Sequence, residues 1–390
     1  MTRYDFDHAA PDRRHSGSYK WDSADGDDII PSWVADMDFR TAPAVIDALR
    51  RRVEHGVFGY VRVPDEYYDA LCGWFGGRYG WHIDRERVIY TSGVVPAISA
   101  VIKALCPAGK GVVVQTPVYN CFFSSIRNNG CRVVENPFLR VNTAGGFTYK
   151  MDFDCLERLA ADPENRMLLL CNPHNPAGRC WSADELRRAV EICARHDMIV
   201  VSDEIHCDLT MPGRKYTPLA TVAGAHDYVV CNSPSKSFNT AGLQIANIIS
   251  SRPELQAAID RAININEVCD VNPFGVVGLV AAYNEGAEWL DELRRYIAGN
   301  YACMKEYLAQ ELPMLPVAEL EATYLAWVDI SPLGHTGTEI EEYLIDKHRV
   351  WVNAGGMYGC DDYVRINLAC PRARLMEGLQ RMVAGLKEML

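Results

Sequence analysis

The chain has 390 residues, of which 48% are hydrophobic and 23% charged, and no tract is strongly biased in composition. These totals are typical of a folded protein that is long enough to form two lobes. A formal net charge of −12 argues against a nucleic-acid-binding surface, which needs clustered lysines and arginines.

The sequence before residue 44 is rich in Asp, Arg and Gly, and we expect it to form an arm that packs on the body or on a partner. Short apolar strands then alternate with helical stretches. The predicted strands are 88–90, 112–114, 167–171, 198–202, 228–231 and 245–249. Helices are predicted at 96–105 and at 182–196, where Ser182 and Glu185 have the spacing of a capping box.

These strands are apolar throughout rather than alternating between apolar and polar residues. Both faces of their sheet should therefore be covered by helices, as in a parallel sheet. The pattern predicts an α/β fold with a mostly parallel central sheet.

The character of the sequence changes near residue 284. A long amphipathic stretch at 287–312 is followed by shorter elements at 324–330, 340–347, 350–353 and 363–368, and by a last helix that reaches residue 390. We therefore predict three parts. They are an N-terminal arm at 1–44 that also contributes to the small domain, a large ligand-binding domain at 45–284, and a small α+β domain at 285–390.

The fourteen cysteines do not form a recognisable set, because no C-x-x-C pair and no cysteine–histidine ligand pattern occurs. We therefore predict reduced thiols and no metal site. No apolar run is long enough to cross a bilayer, and the polar start lacks the apolar core of a signal peptide. The sequence thus predicts a cytoplasmic protein that binds neither membrane nor nucleic acid.

Polar motifs follow five of the predicted strands. They begin at Thr91, Thr116, Asn172, Asp203 and Ser233 and read TSGV, TPVY, NPHNPAG, DEIH and SPSKSF. Ligands of open α/β sheets bind at the carboxyl ends of strands, so these motifs lie where a site is expected. Each alone also has an ordinary explanation, since Asn-Pro pairs form turns and Asp caps helices. Their order and spacing together predict one shared site.

That order resembles the fold-type-I pyridoxal-phosphate (PLP) enzymes, which share the fold of aspartate aminotransferase. The matching signature is N-P-x-N-P beginning at Asn172, then Asp203, then S-x-x-K ending at Lys236. Further segments are similar to the MalY/PatB group of cysteine-sulfur β-lyases, also called cystathionine β-lyases. These segments are 12–14, 20–22, 33–39, 56–60, 202–206, 323–329, 364–368 and 370–372.

The resemblance implies that PLP is the cofactor and gives several residues a role. Lys236 would hold PLP as a Schiff base and, once the substrate displaces it, would act as general base at Cα. Asp203 would pair with the protonated ring nitrogen, and Asn175 would donate to the phenolate oxygen of the ring. Tyr119 would lie on the ring face. Arg365 would bind the α-carboxylate of the substrate as a bidentate pair.

The resemblance also implies partners for the phosphate. The N–H groups of Gly93 and Val94 would bind it at a helix start, with hydroxyl donors from Ser233 and Ser235. Tyr60 resembles a tyrosine that reaches the phosphate of the neighbouring subunit. The chain is therefore expected to form a homodimer with shared active sites.

Three positions depart from the commoner patterns. Gln244 stands where aspartate aminotransferases carry a phosphate-binding arginine, and His206 stands where they carry a tyrosine. Both residues match the lyase group. Two interpretations of His206 stay open, a contact with the cofactor or a packed imidazole. Ala177 stands where the commoner turn motif has threonine, and we expect little effect from it.

Three functions are compatible with this resemblance. The first is a PLP-dependent carbon–sulfur β-lyase that cleaves cystathionine or a related L-cysteine S-conjugate to a thiol, pyruvate and ammonia. The second is an L-amino-acid aminotransferase, because one fold serves both reactions. The third is a PLP-binding regulatory protein without important turnover, which the complete set of Lys236, Asp203, Asn175 and Arg365 disfavours. We expect the lyase, with the preferred thioether left open.

Overall fold

The computed structural model describes residues 3–24, 26–267 and 271–390. Its strands are β1 (Ile30–Pro31), β2 (Val88–Thr91), β3 (Gly111–Val114), β4 (Arg132–Glu135), β5 (Leu139–Thr143), β6 (Gly146–Lys150), β7 (Asn165–Cys171), β8 (Ile199–Asp203), β9 (Tyr228–Asn232), β10 (Ala246–Ser250), β11 (Leu325–Asp329), β12 (Val350–Trp351), β13 (Asn353–Ala354) and β14 (Tyr363–Asn367). Its α-helices are α1 (Pro43–His55), α2 (Asp65–Tyr79), α3 (Val94–Leu105), α4 (Asn120–Asn128), α5 (Phe153–Ala160), α6 (Ala183–Arg195), α7 (Pro253–Asn264), α8 (Pro273–Glu285), α9 (Ala287–Glu311), α10 (Gly337–His348) and α11 (Arg372–Glu388).

The largest sheet has seven strands in the order β2-β10-β9-β8-β7-β3-β4. The five strands from β9 to β4 run parallel, whereas β10 is antiparallel to both of its neighbours. Successive residues along a strand enter two separate buried clusters, for example Val112 and Val114 in one and Val113 in the other. The strands are apolar throughout because both faces are buried in this way. The predicted α/β fold with a mostly parallel central sheet is confirmed.

The six predicted strands of this sheet are present, with small shifts at their ends. The capping box is also present, since the Ser182 hydroxyl accepts from Glu185 N at 3.2 Å and the Glu185 carboxylate accepts from Ser182 N at 2.9 Å. The predicted strand at 350–353 is divided, because β12 pairs with β1 whereas β13 pairs with β14. The hairpin β5–β6 was not predicted, since its partly exposed strands lack a continuous apolar run.

A second, three-stranded antiparallel sheet has the order β11-β14-β13. The N-terminal arm reaches this part of the molecule, because β1 pairs in parallel with β12 through Ile30 and Val350. The arm thus packs on the body of its own chain at this point. The division into domains at 1–44, 45–284 and 285–390 stays a prediction. Within the described residues, no helix has the length and apolar character that a membrane span requires.

Gly286 lies at the junction of α8 and α9, against the loop that carries Lys236. A Cβ added at Gly286 would come as close as 2.5 Å to the carbonyl oxygen of Ala282, and closer still to the ring of Phe238. Phe238 is fully buried and follows Lys236 by two positions. Only a residue without a side chain fits between α9 and this ring.

We expect Gly286→Ala to lower the free energy of unfolding by about 1–3 kcal/mol, the usual cost of overpacking a filled core. The matched control is Gly73→Ala inside α2, where an added Cβ meets nothing within 4 Å. That change should stabilise the protein by up to about 1 kcal/mol, because alanine favours the helix. Urea unfolding followed by circular dichroism measures both variants, and equal stabilities would contradict the packing described here.

Candidate functional site

A cavity of about 200 Å³ opens at the edge of the central sheet where the strands β7, β8 and β9 end. The motif that follows β2 reaches the same edge, because β2 and β9 are both antiparallel to β10. Among the residues lining the cavity are eight of those predicted from the sequence, namely Gly93, Val94, Tyr119, Asn175, Asp203, His206, Ser235 and Lys236. The fold therefore brings together side chains from five separate motifs, as the strand-end argument predicted.

Lys236 follows β9 and projects its amine into the cavity. Its Nζ donates to the carbonyl oxygen of Ala35 at 2.6 Å. Burial, with the positive charge of Arg365 as the next contribution, lowers the pKa of Lys236 to about 8. An unperturbed lysine titrates near about 10.4, so a much larger fraction of this amine is neutral at pH 7 to 8. A neutral amine is what a nucleophile or general base needs.

Asp203 is the last residue of β8, is buried and lines the cavity. Burial raises the pKa of its carboxyl to about 7, while the Ile205 N–H and the Lys236 charge act in the opposite direction. Asp203 Oδ1 accepts from Ile205 N at 3.1 Å. A cationic hydrogen-bonded partner would stabilise the ionised form of Asp203, because burial disfavours an unpaired negative charge.

Arg365 reaches the site from β14, in the three-stranded sheet. Its Nη1 donates to Asn175 Oδ1 at 3.2 Å, and its Nη2 donates to the Trp33 carbonyl oxygen at 2.6 Å. The buried Nε of Arg365 has no hydrogen-bond partner among the described residues. Arg365 is not itself among the residues lining the cavity, but it contacts Asn175, which is, and its Nε is an unused donor within the described part of the chain.

His206 is buried and lines the cavity. Burial, followed by the charges of Lys236 and Arg365, lowers the pKa of His206 to about 3, so its ring is neutral. The ring packs edge-to-face on Tyr324 with centroids 6.3 Å apart. Its Nδ1 has no hydrogen-bond partner within the part of the chain that the structure describes. The ring is thus packed and also carries a free hydrogen-bonding atom beside the cavity.

The N-terminus of α3 forms one wall of the cavity, with Gly93 as the N-cap and Val94 as the first helical residue. Among the described residues no side chain caps this helix. Its first N–H groups and the positive end of its dipole suit an anion. On the loop that follows β9, Ser235 also lines the cavity and donates its backbone N–H to Ser233 Oγ at 3.1 Å.

Two predicted residues have other surroundings. The Ser233 hydroxyl donates to the Ile245 carbonyl oxygen at 2.6 Å, so its hydrogen is used inside the loop. Tyr60 precedes α2, is 93% exposed and lies outside the cavity of its own chain. Their predicted roles toward a phosphate stay predictions.

The structure adds lining residues without a role assigned from the sequence. They are Ala35, Ser92, Val95, Pro96, Cys171, Ile205, Ala241, Gln244 and Ile245. Ser92 and Ile205 belong to predicted motifs and Cys171 adjoins one, so placing those motifs at strand ends could have found them. Ala35 had no such signal, because it belongs to the N-terminal arm and meets Lys236 only after folding.

Comparison with known proteins supports one family. The model of the aminotransferase class I and II family matches residues 34–382. The chain is 39% identical to cystathionine beta-lyase PatB of Bacillus subtilis, over 96% of this chain and 98% of that protein. It is 34% identical to protein MalY of Escherichia coli, over 92% of each. It is also similar to the PLP-bound C–S lyase from Staphylococcus hominis, with a TM-score of 0.91 and 31% identity over 99% of each chain.

The family match begins at residue 34 in the N-terminal arm and covers the whole central sheet and most of the last helix. The resemblance to the MalY/PatB group that the motifs predicted is confirmed by the two curated relatives. The chain belongs to the family of class I and II aminotransferases.

Proposed function

We propose that the chain is a PLP-dependent carbon–sulfur β-lyase that converts cystathionine or a related L-cysteine S-conjugate to a thiol, pyruvate and ammonia. The observation that carries the proposal is the amine of Lys236, with a pKa of about 8, in one cavity with the buried carboxyl of Asp203. Similarity to a cystathionine beta-lyase and to a C–S lyase over nearly the whole chain favours elimination over transamination.

The donors and acceptors of the cavity fit the functional groups of PLP. The Lys236 amine suits the aldehyde, the Asp203 carboxyl suits the ring nitrogen, and the Asn175 amide suits the phenolate oxygen. The uncapped start of α3 at Gly93 and Val94 suits the phosphate. When bound, PLP supplies an electron sink for the Cα of an amino acid.

Asp203 provides the charge that PLP needs at its ring nitrogen. A carboxylate there keeps the nitrogen protonated, and the pair neutralises both charges in a buried place. The unpaired carboxyl has a raised pKa of about 7, which supports this assignment because a cationic partner would relieve the cost of its charge. Asp203 thus sets how strongly the ring withdraws electrons.

Other lining side chains hold the cofactor in place. Tyr119 offers an aromatic face beside the cavity. Ser235 and Ser233 act at the phosphate end, Ser235 directly and Ser233 through the Ser235 backbone N–H. The free Nδ1 of His206 would contact the cofactor, while its ring packs on Tyr324.

Arg365 binds the α-carboxylate of the substrate. Its Nε is buried and unused among the described residues, and a carboxylate is the partner that an arginine fork fits best. Binding there orients the Cα–H bond toward Lys236. Lys236, as a neutral amine, would take the Cα proton, and the electron pair left at Cα would form the bond to Cβ as the Cβ–S bond breaks and the thiolate leaves.

The protein acts as a homodimer in which Tyr60 completes the site of the neighbouring subunit. Val57, Phe58 and Tyr60 lie on one loop with 61%, 57% and 93% of their surface exposed. Such an apolar exposed loop suits burial against another subunit.

The cysteines of the described residues are free thiols, which suits a reducing cytoplasm.

The decisive test of the reaction uses the PLP-loaded protein with cystathionine and no keto acid. We expect pyruvate and homocysteine to be released in equal amounts over many turnovers. Lys236→Ala should abolish release, whereas Lys215→Ala, at an exposed lysine outside the cavity, should retain it. Faster conversion of alanine to pyruvate with a keto-acid acceptor would instead identify an aminotransferase, and no turnover would favour a regulatory protein.

The pKa shifts predict how fast the cofactor-free protein captures PLP at different pH values. Raising the pH through about 7 ionises Asp203, and raising it through about 8 deprotonates Lys236. The ionised Asp203 and the neutral Lys236 are the forms that bind PLP. The rate of PLP capture should therefore increase from about pH 6 to about pH 9 and then level off. Borohydride reduction and mass spectrometry should locate the pyridoxyl group on Lys236. A rate that still rises steeply above pH 10 would show an unperturbed lysine.

Subunit mixing tests whether Tyr60 crosses between subunits. Tyr60→Ala and Lys236→Ala should each have low activity, because each homodimer has two defective sites. In a mixed dimer, one site would pair an intact Lys236 with an intact Tyr60 from the other subunit. Random mixing should then restore about a quarter of wild-type activity, since half of the dimers carry one good site of two. If Tyr60 acts within its own chain, mixing restores nothing.

A further inference from the structure

Residues 33–39, which we call the strap, run between β1 and α1 and border the cavity through Ala35. The carbonyl oxygens of five consecutive strap residues accept hydrogen bonds from side chains. The pairs are Trp33 with Arg365 at 2.6 Å, Val34 with Asn367 at 2.6 Å, Ala35 with Lys236 at 2.6 Å, Asp36 with Asn367 at 2.6 Å, and Met37 with Asn239 at 2.9 Å. Side chains rather than a strand ladder therefore set the position of the strap.

The acidic side chains of the strap join a network of buried and partly buried charges. Asp38 is fully buried and accepts from Lys20 Nζ at 3.0 Å, Trp21 Nε1 at 2.9 Å and Arg374 Nη1 at 3.1 Å. A buried carboxylate needs several such partners to remain charged. Burial by itself raises the pKa of Asp38, but its charged and hydrogen-bonding partners, of which Lys20 contributes most, outweigh this effect. The pKa of Asp38 is therefore lowered.

Arg13 contacts three consecutive strap residues. Its Nη1 and Nη2 donate to the two carboxylate oxygens of Asp36 at 3.0 and 2.6 Å. The same Nη1 also donates to the Met37 carbonyl oxygen at 3.0 Å and to Asp38 Oδ1 at 3.3 Å. This fork-to-fork pair is partly buried, since the side chains of Arg13 and Asp36 are 20% and 22% exposed. Bidentate arginine–carboxylate pairs of this kind fix the relative orientation of the two side chains as well as balancing their charges.

We propose that Arg13 is a positioning residue that orients the amine of Lys236 through the strap. The link is one peptide group, because the Ala35 carbonyl lies in the same rigid plane as the N and Cα of Asp36. Arg13 binds the Asp36 carboxylate and the Met37 carbonyl oxygen, and these contacts limit rotation of the peptide plane between Ala35 and Asp36. The Ala35 oxygen is thereby held where Lys236 Nζ donates to it.

The proposal rests on the proposed function, since it concerns how Lys236 is held during turnover. The lysine side chain is long and flexible, and its amine needs a fixed acceptor whenever it is not bonded to the cofactor. Tyr324 OH donates to the same Ala35 oxygen at 2.9 Å, so the acceptor is also held from the buried side. A displacement of about 1 Å of a reacting group can cost about 100-fold in rate.

The test compares Arg13→Gln with Arg14→Gln in the full-length protein. Arg14 is the matched control because it pairs with Asp12 at 2.7 Å on the surface, with 44% of its side chain exposed. In Arg13→Gln we expect faster hydrogen exchange in the peptide covering 33–39 of the holoenzyme. We also expect about tenfold slower covalent capture of PLP by the cofactor-free chain, and kcat lowered about tenfold with little change in KM. Arg14→Gln should match wild type in each measurement.

Wild-type strap exchange in Arg13→Gln would overturn the proposal, and so would faster exchange with unchanged PLP capture. Arg13→Lys, which keeps the charge but loses the fork, should show a smaller effect in the same direction and serves as the test if Arg13→Gln does not fold. If the wild-type chain itself captures no PLP on Lys236, the proposed function fails instead. The two failures are therefore distinguishable.

Discussion

The hydrogen bond from the Lys236 amine to the Ala35 carbonyl joins residues 201 positions apart and stands at the centre of the site. It forms in surroundings where charge is poorly hydrated. The same desolvation lowers the pKa of Lys236 to about 8 and raises that of Asp203 to about 7. The pKa values of the amine and of the carboxyl therefore both lie near neutral pH. Such values suit a site that transfers protons.

Two further buried carboxyls hold the loops that carry these groups. Glu204, next to Asp203, accepts from Asn172 Nδ2 at 3.1 Å, Ser202 Oγ at 2.9 Å and Leu219 N at 3.0 Å, and also from the hydroxyl of Tyr216. This network joins the end of β8 to the first residue of the N-P-x-N-P turn. Each oxygen of Glu204 finds donors, as a buried carboxyl requires.

Asp208 has the same role on the other side of Lys236. It accepts from Ser237 Oγ at 3.1 Å and from Trp74 Nε1 at 2.9 Å. Since Ser237 directly follows Lys236, this contact ties the lysine loop to α2. The site is thus surrounded by the central sheet, by Arg365 of the three-stranded sheet and by the strap. The central sheet contributes Asp203, the three-stranded sheet contributes Arg365, and the strap contributes the carbonyl oxygen of Ala35.

The sequence by itself determined the α/β fold and the edge of the sheet at which the site lies. Both follow from local patterns, since apolar strands report burial on two faces and polar motifs mark where the strands end. Lys236, Asp203 and Asn175 lie in those motifs, and the resemblance to the PLP enzymes implied their roles. Only the tertiary structure decided that Ala35 meets Lys236 and that Arg365 contacts Asn175. These contacts join side chains from distant parts of the chain, and their geometry depends on how the arm and the second sheet pack, which no local pattern encodes.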